Sequence, residues 1–334
     1  ATDLAFPEGE VSGPITTGDS NYFVYVPTSL RKDRKAPLLF FTGATGGKAK
    51  SCRQFIEGAE IAGWIIAASV ESENGNDFPE GNFAHVEACY DDLMNKLPID
   101  KKRVYFAGDS GGGVMALLNC DRLKGAGAMP NIAYLLKGSR LLRQAHYYVM
   151  GGAWDFNRYL SAQIRAEAGE NGFHRFNKNG HGGASVVQSN DAILWLNARY
   201  LEAQESGDFA AEKMDFNRSL LDWLRKIKDK QPHRAYYWAN FDREAAPAFA
   251  NLADELGKDP VSVKYAEGLD ALDSFSRDIL ATEGEDQGSL KKHTSEKVNR
   301  EADKLIGTYA GVPEIEDIAK ALKHPTATLQ TKKR

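Results

Sequence analysis

Ser110 stands in Gly108-Asp109-Ser110-Gly111-Gly112, a serine flanked by glycines at Gly-x-Ser-x-Gly spacing. A serine hydroxyl attacks a carbonyl carbon when a base takes its proton, an acid orients that base, and donors hold the developing oxyanion. Candidates for each part follow along the chain. Asp155 closes the run Val149-Met150-Gly151-Gly152-Ala153-Trp154-Asp155, and His181 sits in Asn179-Gly180-His181-Gly182-Gly183. Taken alone, Asp155 suits the N-cap of the helix that follows it, and His181 is an ordinary loop histidine. Taken in order, each after an expected strand, they form the acid and base of an acyl-transfer set. The oxyanion donors are expected to be the Gly111 N–H, next after the nucleophile, and the Ala44 N–H in Thr42-Gly43-Ala44-Thr45-Gly46-Gly47, with Thr45 as the alternate. His174 alternates along a strand and reads as structural.

These residues need elements to aim them. Arg103-Val104-Tyr105-Phe106 is β-branched and aromatic, and Val114-Met115-Ala116-Leu117-Leu118 is helix-forming. Strand, glycine turn and helix are the context of a nucleophile elbow. Gly-Asp-Ser-Gly-Gly also resembles the nucleophile motif of trypsin-like proteases. Only His85 precedes Ser110, too closely for the β-barrel such an enzyme would need, so that reading is rejected. Strands are expected over Tyr22 to Pro27, Leu38 to Phe41, Trp64 to Val70, Gly125 to Ala133, Ala145 to Met150 and Phe173 to Phe176. Helices are expected over Gln54 to Ala62, His85 to Leu97 and Asn157 to Ala168, and residues 1–20 read as an irregular lead-in. This alternation predicts an α/β fold, a mostly parallel sheet with helices on both faces. Beyond about Ser185 the apolar spacing turns helical: Ala192 to Ala203, Ala210 to Lys228, Ala245 to Leu256, Ala271 to Leu280, Thr294 to Tyr309 and Ile315 to Leu322. The reading is a catalytic domain over 1–205 and an all-helical C-terminal region over 206–334. The first of these helices closes the sheet and the later ones form an appendage.

Composition bounds the function. The chain has 334 residues, 42% hydrophobic, and a formal net charge of −4, which argues against nucleic acid or an anionic membrane as partner. No apolar run reaches membrane-spanning length. Three cysteines, Cys52, Cys89 and Cys120, are too few for a disulfide framework. Cys52 and Cys89 could pair if their helices adjoin, but three buried free thiols is the preferred reading. No cysteine–histidine cluster has metal-ligand spacing, so no metal is expected. Ala1-Thr2-Asp3 would suit the end left by signal cleavage, which leans towards a secreted or periplasmic protein, with a cytoplasmic one not excluded.

The stretch from about Tyr22 to Gly183 resembles the α/β-hydrolase superfamily. It is most similar to bacterial esterases of the polyhydroxybutyrate depolymerase and feruloyl esterase type. The resemblance rests on the Thr42-Gly43-Ala44-Thr45-Gly46 loop, the Ser110 elbow, Asp155-Phe156-Asn157-Arg158 and Gly180-His181-Gly182. The loop carries Thr42 where many relatives have histidine, and the helical region after Ser185 lies outside the resemblance. What it implies is two-step acyl transfer on an ester of polysaccharide, hydroxycinnamate or polyester type, small or polymeric. Ser110 would be the nucleophile, His181 the base and Asp155 the acid, without a metal or organic cofactor.

Substrate contacts are expected from Thr45, from Trp154 beside the acid, and from Phe78. Phe78 lies in the polar Glu71–Asn82 loop, past a strand's carboxyl end, where open α/β sheets bind ligands. Tyr236, Tyr237 and Trp238 read as helix-packing residues, and the partner of the helical region is unknown. Two competing readings remain. One is a serine peptidase of the prolyl-oligopeptidase type, although no propeller-like strand repeat accompanies the elbow. The other is a non-catalytic hydrolase-fold protein that presents its helical tail to a partner.

Overall fold

Leu38 to Phe41 are apolar at consecutive positions, so a strand made of them needs cover on both faces. In the computed structural model, which describes residues 4–75, 77–204, 207–284 and 295–325, it has that cover. The strands are β1 (Val11–Thr17), β2 (Ser20–Tyr25), β3 (Ala36–Gly43), β4 (Ile65–Ser69), β5 (Ile99–Asp109), β6 (Gly127–Asn131), β7 (His146–Gly152) and β8 (Gly172–Asn177). They form one eight-stranded sheet in the order β1-β2-β4-β3-β5-β6-β7-β8. β2 runs antiparallel to β1 and β4, and the remaining pairs are parallel. This is the α/β-hydrolase architecture. β4 and β5 lie on opposite sides of β3, so the crossover direction reverses there, and such switch points open a crevice at the strands' carboxyl ends. Register lines those ends up: Gly43 pairs with Asp109, Asp109 with Asn131, and Asn131 with Met150.

The helices of the first half are α1 (Ala49–Arg53), α2 (Ile56–Ala62), α3 (Glu80–Lys96), α4 (Gly111–Arg122) and α5 (Arg158–Ala168). Those of the second half are α6 (Val186–Glu202), α7 (Ala210–Ile227), α8 (Pro232–Phe241), α9 (Pro247–Leu256), α10 (Pro260–Phe275), α11 (Ala281–Gly284), α12 (Glu296–Thr308) and α13 (Ile315–Leu322). Side chains alternate across the sheet. Leu38, Phe40, Val104 and Phe106 pack with Val86, Cys89 and Leu93 of α3 and Val114, Leu117 and Cys120 of α4. Leu39, Phe41, Tyr105 and Tyr148 pack on the other face with Ile193, Leu194 and Leu196 of α6.

That second cluster does not stop at α6. It runs on through Leu220, Trp238, Leu272 and Ile318, so among the described residues one apolar core joins the sheet to the last helix. The boundary drawn at 205/206, the start of a helix at Thr294 and the chain beyond Pro325 lie outside the described residues. So do Asn76 of the Glu71–Asn82 loop and Ala1-Thr2-Asp3.

Several expectations need correction. The irregular lead-in contains β1, which pairs with β2 across the Gly18 turn. The helix expected over Gln54 to Ala62 is α2, and a separate short helix, α1, precedes it. α6 begins at Val186, six residues before Ala192, where Ser185 and Gln188 form a reciprocal capping box. α8 lies in a stretch read only as an aromatic cluster. The helix expected over Ala271 to Leu280 starts at Pro260 as α10 and ends in a π turn over Ser276–Leu280. Cys52, Cys89 and Cys120 are all buried free thiols, and Cys52 and Cys89 lie in clusters on opposite faces of the sheet.

Candidate active site

Ser110 joins β5 to α4 with φ 55° and ψ −121°. A non-glycine residue there carries strain on the order of 1–3 kcal/mol, which the surroundings must hold in place. The Ser110 N–H donates to the Asn131 carbonyl at 2.9 Å. Gly108 and Gly112 let three backbones meet. A Cβ on Gly108 would come within 2.2 Å of the Gly112 carbonyl oxygen, and one on Gly112 within 2.2 Å of the Thr42 carbonyl oxygen. Thr42 is buried, and its Oγ1 donates to the Gly112 carbonyl at 2.8 Å. Thr42 therefore braces the turn. Ser110 is the N-cap of α4, whose positive dipole end points at the same place.

The structure brings the three sequence candidates together. His181 Nε2 lies 3.1 Å from Ser110 Oγ, and His181 Nδ1 lies 2.6 Å from Asp155 Oδ2. A carboxylate at Nδ1 favours the tautomer with its proton there, which leaves Nε2 to accept from the serine. Asp155 is 1% exposed, and its other oxygen accepts the Asn157 N–H at 2.6 Å. The His181 ring stacks on Phe156, with centroids 4.1 Å apart and planes inclined by 19°. Asp155 and His181 follow the adjacent strands β7 and β8, which is why residues 26 apart in sequence meet.

The other expected site residues divide. Gly111 opens α4 beside the Thr42–Gly47 loop, and the Asn74 side chain lies so close that a Gly111 Cβ would fall 1.8 Å from its Oδ1. The Ala44 carbonyl accepts the Asn74 N–H at 3.0 Å, and Thr45 bridges to Glu73. The two candidate oxyanion donors are thus on neighbouring backbones, with the Glu73-Asn74 turn against both. Trp154 lays its ring on Gly180 and donates its indole N–H to the Lys178 carbonyl at 3.1 Å. It braces the loop that carries His181 while staying partly exposed. Phe78 packs against the α3-side cluster, so no contact places it beside Ser110. His174 is buried on β8, bonded through Nδ1 to Ser276 Oγ at 2.5 Å and stacked on Phe176. Burial and the nearby Arg165 charge push its pKa down to about 3.

Phe156, Asn74 and Asn131 were not singled out on sequence. Asn131 carried one readable signal, a polar residue ending a short apolar strand. The other two carried none beyond their loops. Among the described residues, no three His, Cys, Asp or Glu side chains are placed to hold a metal ion. Nor is any described helix long and apolar enough to cross a membrane.

No model of a known protein family matches the chain, and no curated protein matches it either. Solved structures do. An arylesterase is 15% identical with a TM-score of 0.44, covering 58% of this chain and 85% of its own. An α/β hydrolase from the metagenome of Lake Arreo, Spain, is 15% identical with a TM-score of 0.45, covering 58% of this chain and 84% of its own. A thermostable esterase is 20% identical with a TM-score of 0.43, covering 53% of this chain and 58% of its own. At such identities and scores the likeness carries nothing about activity.

The chemistry of the site follows from its own geometry. A serine at a strained turn, an imidazole within hydrogen-bond reach and a buried carboxyl group behind it can relay one proton to and from Ser110 Oγ. The imidazole is 29% exposed, so the reacting groups open to solvent rather than to a closed chamber.

Proposed function

We propose that the chain is a serine carboxylic-ester hydrolase. The observation that carries this is the Ser110–His181–Asp155 hydrogen-bond chain at a strained strand–helix turn. As Ser110 Oγ bonds to the ester carbonyl carbon, its proton passes to His181 Nε2. Asp155 stabilises the imidazolium, and the Gly111 and Ala44 N–H groups hold the oxyanion. Collapse breaks the ester C–O bond, and the leaving oxygen takes the proton from His181. Water then gives a proton to His181 and attacks the acyl carbon, and collapse frees the acid and restores Ser110.

The substrate class is an ester of polysaccharide, hydroxycinnamate or polyester type, small or polymeric. Support comes from the rim. Five large apolar side chains are exposed among the described residues, and three of them, Trp154, Val186 and Val187, adjoin the acid or follow the His181 loop. Exposed apolar side chains near the acid and base in sequence are candidate contacts for an apolar part of the ester. A panel of aryl, acetyl-sugar, feruloyl and polyester substrates, with a peptide amide beside it, tests this. Turnover of esters over the amide is expected. Amide cleavage alone would replace the reading with a peptidase, and no turnover with no labelling by a fluorophosphonate would leave a binding protein.

A further inference from the structure

Three loops must keep their places for this chemistry: the elbow with Ser110, the acid loop with Asp155 and the base loop with His181. They leave the sheet from β5, β7 and β8. Between β5 and β7 lies β6, and its last residue, Asn131, is fully buried. The Asn131 carbonyl accepts the Ser110 N–H at 2.9 Å. Its side-chain Nδ2 donates to Asp109 Oδ1 at 2.7 Å and to the Gly182 carbonyl at 3.1 Å. Asp109 precedes the serine and Gly182 follows the histidine. One nitrogen thus joins the neighbours of both groups. Both partners are acceptors, so the amide has only one workable orientation.

The next residue completes the junction. The Ile132 carbonyl accepts Asn157 Nδ2 at 2.8 Å, and the Asn157 N–H binds Asp155 Oδ1 at 2.6 Å. Ile132 holds φ at 48°, a genuine outlier for a β-branched residue. Strain of this kind survives only where the surroundings over-determine it, and it clusters at working sites. Burial pushes the Asp109 carboxyl above the usual carboxylate range, while its bonds to the Asn131 side chain and the Ala184 N–H pull it back. Asp109 therefore depends on the donors that also tie down the loop after His181.

We infer that Asn131 is a positioning residue, whose carboxamide holds the His181 loop within bonding distance of Ser110 without touching substrate. The inference rests on the ester-hydrolase reading. A displacement of about 1 Å in such a set costs on the order of 10²-fold in rate.

The test compares Asn131→Ala with Ser161→Ala. Ser161→Ala removes a buried hydrogen bond to the Ala133 carbonyl, at 2.8 Å, on the same segment but away from the loops of Ser110 and His181. With a soluble aryl ester, Asn131→Ala is expected to lower kcat by about 10²-fold with KM within threefold. Phosphonylation of Ser110 by a fluorophosphonate should slow by the same factor. Ser161→Ala should keep kcat within about twofold at a similar loss of Tm. If Asn131→Ala does not fold, Asn131→Leu is of similar size, has no donor, and should show the same kcat loss. A folded Asn131 variant with kcat within threefold of an active wild type overturns the positioning role alone. So does a raised KM at unchanged kcat. An inactive, unlabelled wild type overturns the role together with the ester-hydrolase reading.

Discussion

Ser110 can hold its left-handed backbone because Gly108 and Gly112, two residues to either side, leave room for the backbones that pack against the turn. Gly112 sits under the Thr42 carbonyl with no room for a methyl group. Gly112→Ala should therefore cost stability on the order of 1–3 kcal/mol and disarm the elbow, read as a lowered Tm with loss of ester turnover. The proton relay makes a different prediction. Asp155→Asn and His181→Ala should each lower kcat by ~10³-fold or more, and adding either to Ser110→Ala should change little, since groups acting as one unit are not additive. Single and double variants assayed at equal folded concentration check this, and additive losses would contradict it. Ser110, Asp155 and His181 were legible in the sequence because each pairs a reactive type with glycine punctuation after an apolar run. Asn131 was not, because its partners lie 22 and 51 residues away, and a polar residue ending an apolar strand does not say what it binds. Phe78 read as a substrate contact from its loop alone, and its ring is partly buried against the cluster on the α3 side of the sheet.

At the scale of elements, buried strands and amphipathic helices were readable, and capping was the weaker guide. α8, α9 and α10 each open on a proline, a favoured first-turn residue, yet α8 was missed and α10 was read from Ala271 because apolar periodicity was followed instead. β1 escaped because an edge strand need not be apolar. The join between β8 and α10 is polar and buried. Asp273 accepts from Arg165 Nε at 2.6 Å, from Arg165 Nη2 at 2.8 Å and from the His174 N–H at 2.7 Å. Asp273→Ala should cost about 3–5 kcal/mol, because it strands a buried guanidinium, and denaturant melts would measure it. His174 adds a pH dependence. Its folded pKa lies near 3, below the ordinary histidine value, so the unfolded chain binds the proton first. The stability it contributes is full above about pH 6.5 and is lost as pH falls towards 3. Tm should fall on acidification through this window, and His174→Gln should flatten the fall.

At the scale of the molecule, the helical region is stitched to the sheet rather than hung from it. Arg103 pairs with Glu212, Arg165 with Asp273 and Arg175 with Glu314, and all three arginines are buried. Arg158, three residues past Asp155, donates to the Leu322 and His324 carbonyls at 3.0 Å each. The last helix thus ends under the acid loop. A cut after residue 206 would uncover the apolar face left by Leu220, Leu224, Trp238 and their neighbours. Each large side chain is worth ~1.5–3 kcal/mol against a total stability of ~5–15 kcal/mol. Such a truncation is expected not to fold, as judged by loss of a cooperative melt. A folded, active fragment would instead restore a separable domain.

If Ser110 is the nucleophile, intact-protein mass spectrometry after fluorophosphonate treatment should show one adduct per chain, mapped to Ser110. It should be absent in Ser110→Ala and strongly slowed in His181→Ala. An adduct that persists in folded Ser110→Ala, or ester turnover that survives that substitution, would contradict it.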